Sequence, residues 1–344
     1  MAFFRLYAII SGSLSYLSER SYYFFNTMEP HTNEPSAPSA NGAPSPQNPQ
    51  SSLILQGPVK LFTSAWNVFK NNWKMLVSIA IAPSVILFIG QLLMQVQSPV
   101  LLVIGIIIGI VGTVVSVVMQ PAMIDAIHRL AHEPGVILTV GTQYKTGFRY
   151  FWSVLFLIIL ACLIFFGSGL LFLIPALVIG IYISLYIFVR VLDDKKGFSA
   201  FTESYSLVKG RWWGVFGRML FLVLIYAIGA LIIAGITFLI ESTFAIDSNS
   251  VAGMIIAMIL NLIFIGTVGP VALAYIYNLY VSLKETRLAD VPVSGFKKWL
   301  VAFLIIGILV LIFGILFGVI KTVATYTNFS TTLSGINSGT STRY

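Results

Sequence analysis

The stretch Asp193–Trp213, which reads DDKKGFSAFTESYSLVKGRWW, is the longest polar interval between two long apolar runs of the chain. The runs before and after it are both long enough to cross a bilayer, which takes about 17–25 residues. Charged residues in such an interval mark one face of a membrane. The stretch therefore predicts a polytopic membrane protein.

The composition of the whole chain supports the same interpretation. Of its 344 residues, 58% are hydrophobic and only 9% are charged, whereas about a quarter of a soluble domain is charged. A net charge of +8 would raise nucleic acid as a partner of a soluble protein. Here the basic residues lie beside apolar runs, so we expect no nucleic-acid partner. We expect membrane lipids as partners, anionic lipids among them.

Seven apolar runs reach spanning length, and they predict an all-α, polytopic transmembrane helical bundle. The predicted spans are Met75–Gln95, Val100–Ile124, Phe151–Phe172, Pro175–Val191, Val215–Leu239, Val251–Tyr277 and Trp299–Ile320. The third and fourth spans are separated at Ile174-Pro175, because proline marks a helix break or a helix start.

Basic residues lie on alternate connections between these spans. Four connections carry 16 of the 20 Lys and Arg residues: Lys60–Lys74, Arg129–Arg149, Arg190–Arg218 and Lys284–Lys298. The connections Val96–Pro99, Leu173–Ile174 and Ile240–Ser250 carry none. The positive-inside rule places the basic set in the cytoplasm. The sequence therefore predicts a multi-pass protein of the cell membrane, with a cytoplasmic N-terminus and an external C-terminus.

Two polar tails flank the transmembrane domain, which we place at residues 57–321. Residues 1–56 predict a disordered cytoplasmic tail, because residues 29–52 are rich in proline, serine and asparagine and have no core to bury. Residues 322–344 are rich in serine, threonine, glycine and asparagine. They predict a flexible C-terminal tail.

The segment Gly57–Lys74 predicts an amphipathic helix ahead of the first span. Its apolar residues recur at steps of three and four: Leu61, Phe62, Ala65, Trp66, Phe69 and Trp73. Aromatic residues beside lysines favour a helix that lies in the headgroup region. The alternative is an ordinary amphipathic helix packed on protein.

Three similar units follow one another along the chain, beginning near Leu61, Val140 and Phe201. Each unit has a polar-aromatic helix, a tryptophan at the start of a span, and a second span that contains a proline. The tryptophans and prolines are Trp73, Trp152 and Trp213, and Pro121, Pro175 and Pro270. We predict a threefold internal repeat, followed by one additional span.

The segments GFSAFTESYSLVKGRWWGVFGR and, later, GPVALAYIYNLYVSLKE resemble a broad group of uncharacterised prokaryotic membrane proteins. That group includes the membrane domain of some glycerophosphoryl diester phosphodiesterases. Its short helix between the fourth and fifth spans corresponds here to Ala200, Ser204, Leu207, Lys209, Gly210 and Arg211. The resemblance implies a fold and a membrane location. It implies no hydrolase activity, because no phosphodiesterase domain is present in this sequence, which instead has a seventh span and a long N-terminal tail.

The basic-aromatic set after this helix is the candidate binding site. It comprises Lys209, Arg211, Trp212, Trp213 and Arg218. Lysine and arginine can contact lipid phosphates while tryptophan rings anchor at headgroup depth. We therefore predict that these residues contact lipid headgroups. The neighbouring residues Asp193–Lys196 favour a solvated turn.

A metal site is the alternative considered for Asp125, His128 and His132. The two histidines lie four residues apart, on one helical face. Zinc would need further ligands and supporting hydrogen bonds, so a solvated helix end is favoured. We predict no catalytic set, no metal and no cofactor.

Two functions are favoured, and a membrane enzyme ranks third because the sequence shows no convincing catalytic set. The first is a non-enzymatic, lipid-associated scaffold of the cell envelope, and it predicts a tightly packed bundle. The second is a transporter or permease for a small apolar or lipidic solute, and it predicts a cavity near the midplane. Glycines such as Gly105, Gly109 and Gly112 favour close helix packing within the monomer, with a homo-oligomer as the alternative.

Overall fold

The computed structural model describes residues 55–96, 98–133, 135–171, 173–247, 250–287 and 294–339. These ranges form nine α-helices and contain no strand. The helices are α1 (Pro58–Gln95), α2 (Pro99–His132), α3 (Val140–Leu171), α4 (Leu173–Ile183), α5 (Tyr186–Leu192), α6 (Phe198–Val208), α7 (Trp212–Thr243), α8 (Val251–Glu285) and α9 (Ser294–Gly339). The predicted all-α fold is confirmed. The predicted disorder of the N-terminal tail falls outside the described residues, apart from its last two positions.

Seven of the helical segments are long and apolar enough to cross a membrane. They are α1, α2, α3, the pair α4–α5, α7, α8 and α9. They contain the seven predicted spans, except that the third was predicted to end at Phe172, which is outside the described residues. Helices α4 and α5 form one span of 19 residues, Ile174–Leu192, with a turn at Ser184–Leu185. The chain is therefore an integral, multi-pass membrane protein.

We call the end of the bundle that carries the basic connections the basic end. Fully buried side chains concentrate there, including those of Met123, Ile127, Phe201 and Tyr275. Helix α7 by contrast buries only Val215 and Leu222, both in its first turns. Because these helices cross a membrane, most of the remaining apolar length of α7 faces lipid, apart from contacts such as that of Tyr226 with Phe264 of α8.

The first part of α1 is amphipathic, and its apolar face packs on the protein. Leu61 and Ala65 are fully buried, and Phe69 is nearly so. A kink at Asn72 (φ −130°, ψ 21°) turns the helix into the first span, and Asn72 Nδ2 donates a hydrogen bond to the Val68 carbonyl at 3.1 Å. Trp66 and Trp73 of the same face stay exposed, at 42% and 51%. Part of the face therefore packs on protein, as in the alternative interpretation, and its contact with headgroups stays a prediction.

The three predicted units have the same order of helices but different junctions. The interfacial segment and the span are joined by the Asn72 kink in the first unit and form one uninterrupted helix, Val140–Leu171, in the second. In the third unit, residues Lys209–Arg211 separate α6 from α7. The prolines of the second spans lie inside helices: Pro121 in α2, Pro175 in α4 and Pro270 in α8. The proposed repeat thus stays a prediction, with an element order that fits it.

Glycines bring two pairs of helices into backbone contact. A Cβ on Gly90 of α1 would meet the Gly105 carbonyl oxygen of α2 at 3.0 Å. A Cβ on Gly167 of α3 would overlap the Phe303 carbonyl oxygen of α9, and one on Gly307 would overlap the Leu163 carbonyl oxygen. The glycine face of α2 therefore packs inside the monomer, as small residues allow.

Helix α9 extends past the predicted last span and continues through Gly339. Residues 322–339 are therefore helical and do not form an irregular tail. The predicted flexibility of this segment stays a prediction.

Single-cysteine labelling tests the predicted orientation. Ser199 lies on a basic connection and Ser242 near the end of α7, and both side chains are exposed. In a Cys162→Ala background, we expect a membrane-impermeant maleimide to label Ser242→Cys in intact cells. Ser199→Cys should react only after permeabilisation, and the reverse pattern would invert the topology.

The contact between α3 and α9 can be tested with one methyl group. Because the added Cβ overlaps a backbone oxygen that cannot rotate away, we expect Gly307→Ala to lower the free energy of unfolding by about 1–3 kcal/mol. Gly314→Ala on the same helix is the control, since its Cβ meets nothing within 4 Å. Thermal unfolding in detergent would measure both, and equal stability of the two variants would contradict the contact.

Candidate functional site

A tight turn between α6 and α7 positions the five predicted lipid-contact residues. Gly210 has a φ of +82°, a conformation that glycine adopts at little cost. Lys209 and Arg211 flank this glycine, and α7 starts at Trp212. The turn therefore sends neighbouring side chains in different directions.

The Arg211 side chain points into the protein and caps helix ends. Its Nη1 donates to the Thr286 carbonyl at 2.8 Å and to the Thr286 hydroxyl. Its Nη2 donates to the carbonyls of Leu283 at 3.2 Å and Leu207 at 3.3 Å. These carbonyls belong to the last turns of α8 and α6 and to the residue that caps α8, where helices leave acceptors unpaired. Burial lowers the pKa of Arg211 from its usual value.

Arg218 binds the chain segment that leads into α1. Its Nε donates to the Gln56 carbonyl at 2.8 Å and its Nη2 to the Leu55 carbonyl at 2.9 Å. Tyr275 Oη donates to the Arg218 carbonyl at 3.0 Å. Arg218 therefore joins the beginning of the described chain to α7 and α8.

The other three predicted residues divide between interior and surface. Trp212 Nε1 donates to the Val178 carbonyl at 3.4 Å, and its ring stacks on Phe216. Trp213 is 77% exposed, and the half-exposed Lys209 places its Nζ 5.4 Å from the Tyr205 ring centroid. Trp213 is thus the exposed member of the set, whereas Lys209 is partly buried beside Tyr205. Lipid contact by the set stays a prediction.

Four exposed tryptophans stand close to the starts of four spans, and we call them the tryptophan collar. They are Trp73, Trp152, Trp213 and Trp299, which are 51%, 78%, 77% and 64% exposed. Each has a basic residue within four positions, and Lys74 Nζ lies 5.9 Å from the Trp73 ring centroid. Of the four, only Trp213 was among the residues predicted from the sequence to contact lipid headgroups, and Trp73, Trp152 and Trp299 were not. The signal was present, because every one stands where a basic connection meets a span.

Ser204, which the sequence singled out only as one position of the family resemblance, has a definite structural role. It is fully buried, its hydroxyl donates to the Tyr182 carbonyl at 2.7 Å, and it accepts from the Leu185 amide at 3.2 Å. These backbone groups are freed by the turn between α4 and α5. The small-residue positions Ala200 and Ser204 of α6 are therefore packing positions beneath that turn.

The Asp193–Lys196 turn is tied to the bundle more firmly than predicted. Tyr280 and Lys284 of α8 both donate hydrogen bonds to the Asp193 carboxylate, which is largely buried. The exposed Asp194 pairs with Arg190, and this guanidinium lowers the pKa of the Asp194 carboxyl. The expectation of a purely solvated turn is corrected, because one of its two carboxylates holds α8 in place.

The two histidines contact a tyrosine and do not assemble a metal site. His128 Nδ1 lies 3.0 Å from Tyr277 Oη, and His132 Nδ1 lies 3.0 Å from the His128 carbonyl oxygen. Asp125 pairs with Arg129 at 3.0 Å. Within the described ranges, no three His, Cys, Asp or Glu side chains cluster closely enough to hold a metal ion.

Two lateral cavities lie between α1 and α8 at membrane depth. The first, of about 520 Å³, is lined by Phe69, Trp73, Val77, Ile81, Ile259, Leu262, Ile263, Gly266 and Thr267. The second, of about 350 Å³, adds polar side chains, those of Ser84, Gln91 and Asn261, to an otherwise apolar wall. We call the first the α1/α8 groove.

No protein-family model matches the chain, and neither the curated proteins nor the solved structures include a significant match.

Removing the Arg211 cap should destabilise the basic end. We expect Arg211→Ala to lower the free energy of unfolding by about 2–3 kcal/mol, because hydrogen bonds from a charged donor are among the stronger ones and their loss leaves carbonyls unpaired. Lys195→Ala removes an exposed cation from the neighbouring turn and should change stability little. Thermal unfolding in detergent would compare them, and a wild-type transition for Arg211→Ala would refute the capping role.

Proposed function

We propose that this protein is a non-enzymatic, lipid-associated scaffold of the cell membrane, with its basic end in the cytoplasm. The tryptophan collar is the observation that carries the proposal. Indole rings favour the headgroup region, and lysines and arginines beside them attract anionic lipid. Four such rings at one end of the bundle give the protein a defined ring of headgroup contacts.

The rigidity of the basic end supports a scaffold role. Arg211, Arg218 and Arg190 donate hydrogen bonds to carbonyls, a serine and a carboxylate within the bundle. Asp193 and Glu203 are likewise paired, with Lys284 and Arg287 respectively. These hydrogen bonds and ion pairs hold the collar residues at fixed positions. A platform for lipid or for another membrane protein requires such fixed positions.

A relationship to the membrane domain attached to some glycerophosphoryl diester phosphodiesterases is also part of the proposal. It draws support from α6, whose resembling positions Ala200, Ser204 and Leu207 are all buried. A pattern that serves packing is compatible with a shared fold. It suggests no shared chemistry.

A transporter or permease for a small apolar or lipidic solute is the second candidate. The cavity lined by Ser84, Gln91 and Asn261 favours it, because polar side chains within a membrane are costly and are often functional. Asn261 lies 10 residues from the start of α8, or about 15 Å along the helix, which is close to the midplane. A proteoliposome assay of lipid or solute translocation, with Asn261→Leu as the variant, would test this candidate.

Native mass spectrometry of protein released from nanodiscs would test the scaffold proposal. In discs of equal phosphatidylglycerol and phosphatidylcholine, we expect enrichment of phosphatidylglycerol on the wild-type protein. Lys209→Ala should reduce that enrichment by about fivefold, since a basic residue at an anionic surface contributes about 1 kcal/mol.

Trp213→Ala should reduce the total retained lipid, because the exposed ring contributes an anchor at headgroup depth. Lys195→Ala is the matched charge control and should leave retention unchanged. Equal retention by the wild type, Lys209→Ala and Trp213→Ala would count against a lipid-associated surface at this turn.

A further inference from the structure

The α1/α8 groove has the size and lining of a site for one hydrocarbon chain. Its volume of about 520 Å³ falls within the range of about 300–1,000 Å³ typical of small-molecule sites. Thr267 carries the one side-chain hydroxyl of the lining, and that hydroxyl already donates to the Ile263 carbonyl at 2.8 Å. An occupant therefore finds almost only apolar side chains.

The groove covers the depth of one leaflet. On α1 the lining runs from Phe69 to Ile81, and the part from Trp73 to Ile81 is about 12 Å of helix at 1.5 Å per residue. Half of a hydrocarbon core of about 30 Å is about 15 Å. Because Trp73 belongs to the collar, the groove begins at headgroup depth on the basic side and ends near the midplane.

Positive charge stands at the headgroup end of the groove. Lys74 Nζ lies 5.9 Å from the centroid of the Trp73 ring, which lines the groove. Lys70 follows the lining residue Phe69, and both lysines are exposed. The kink at Asn72 lies between them. An anionic headgroup above the groove would therefore meet two ammonium groups.

The lateral cavity between α3 and α9 lacks this arrangement. Its lining comprises Leu163, Phe166, Gly307, Val310, Leu311, Gly314 and Ile315, with no basic residue among or next to them in the sequence. Trp299 of α9 lies eight residues before Gly307. An apolar wall alone is common on this surface, so the lysine pair distinguishes the α1/α8 groove.

We propose that the α1/α8 groove binds one anionic phospholipid from the basic-side leaflet. An acyl chain lies between α1 and α8 against Val77, Ile81 and Ile263, and the phosphate lies between Lys70 and Lys74. This inference rests on the proposed lipid association and assigns it a site separate from the α6–α7 turn.

Photo-crosslinking would locate the lipid. The probe is phosphatidylglycerol with a diazirine in one acyl chain, reconstituted with the full chain in phosphatidylcholine nanodiscs. We expect crosslinks on residues 73–81 and 259–267 of the wild type, and much weaker ones with the matching phosphatidylcholine probe. Equal labelling by the two probes would overturn the proposed headgroup recognition.

Two matched pairs of variants test the chain site and the phosphate site. Ile263→Trp fills the groove and should abolish labelling of residues 73–81, whereas Ile232→Trp, at a similarly exposed position on α7 (56% against 58%), should not. Lys70→Ala and Lys74→Ala should each weaken phosphatidylglycerol labelling about fivefold. Lys195→Ala, at an exposed position in the turn between α5 and α6, is the control for charge.

Unchanged labelling in Ile263→Trp would overturn the groove site even if phosphatidylglycerol stays enriched on the protein, so its failure differs from failure of the scaffold proposal. Folding of every variant is checked by its thermal transition in detergent. If Ile263→Trp unfolds, displacement of the probe from the wild type by unlabelled phosphatidylglycerol decides instead. Saturable competition supports the site, and labelling that competitor does not reduce overturns it.

Discussion

Side chains that satisfy the backbone at helix ends and breaks hold the basic end together. Where they are buried, freed carbonyls and amides have no water to bind and need partners from the protein. Ser204 hydrogen-bonds the freed backbone groups at the turn between α4 and α5, and Arg211 hydrogen-bonds those at the end of α8. Arg218 does the same for the segment that enters α1. The short helix α6 and the turn that follows it are therefore the point to which the surrounding helices attach.

This concentration of contacts at one end explains the surface that the protein offers to lipid. Helix α7 is fixed at the basic end, and only 6% of its most apolar 18-residue window is buried. Lateral cavities lie where neighbouring helices do not close on each other, as between α1 and α8. The tryptophan collar stands at the fixed end. Both features support the proposed lipid association, since the first would provide room for chains and the second contacts for headgroups.

Hydropathy and proline position sufficed to predict the seven spans, because apolar length is a local property of the sequence. The direction of the arginine side chains was not predictable in the same way. An arginine beside a tryptophan at a span boundary gives the same sequence pattern whether it contacts a lipid phosphate or caps a helix. Arg211 meets Thr286, 75 residues away, so its role depends on how α8 packs. The helix ahead of the first span had the same ambiguity, because periodicity defines an apolar face but not what covers it.

Electron cryomicroscopy of the protein in a nanodisc of phosphatidylglycerol and phosphatidylcholine would test most directly whether lipid associates with the basic end. A bound antibody fragment would add the mass that the method needs. We predict ordered headgroup density beside the tryptophan collar, in the leaflet at the basic end, with Arg211 still bound to the end of α8. Lipid density spread evenly around both ends, or a basic end that projects clear of the bilayer, would contradict it.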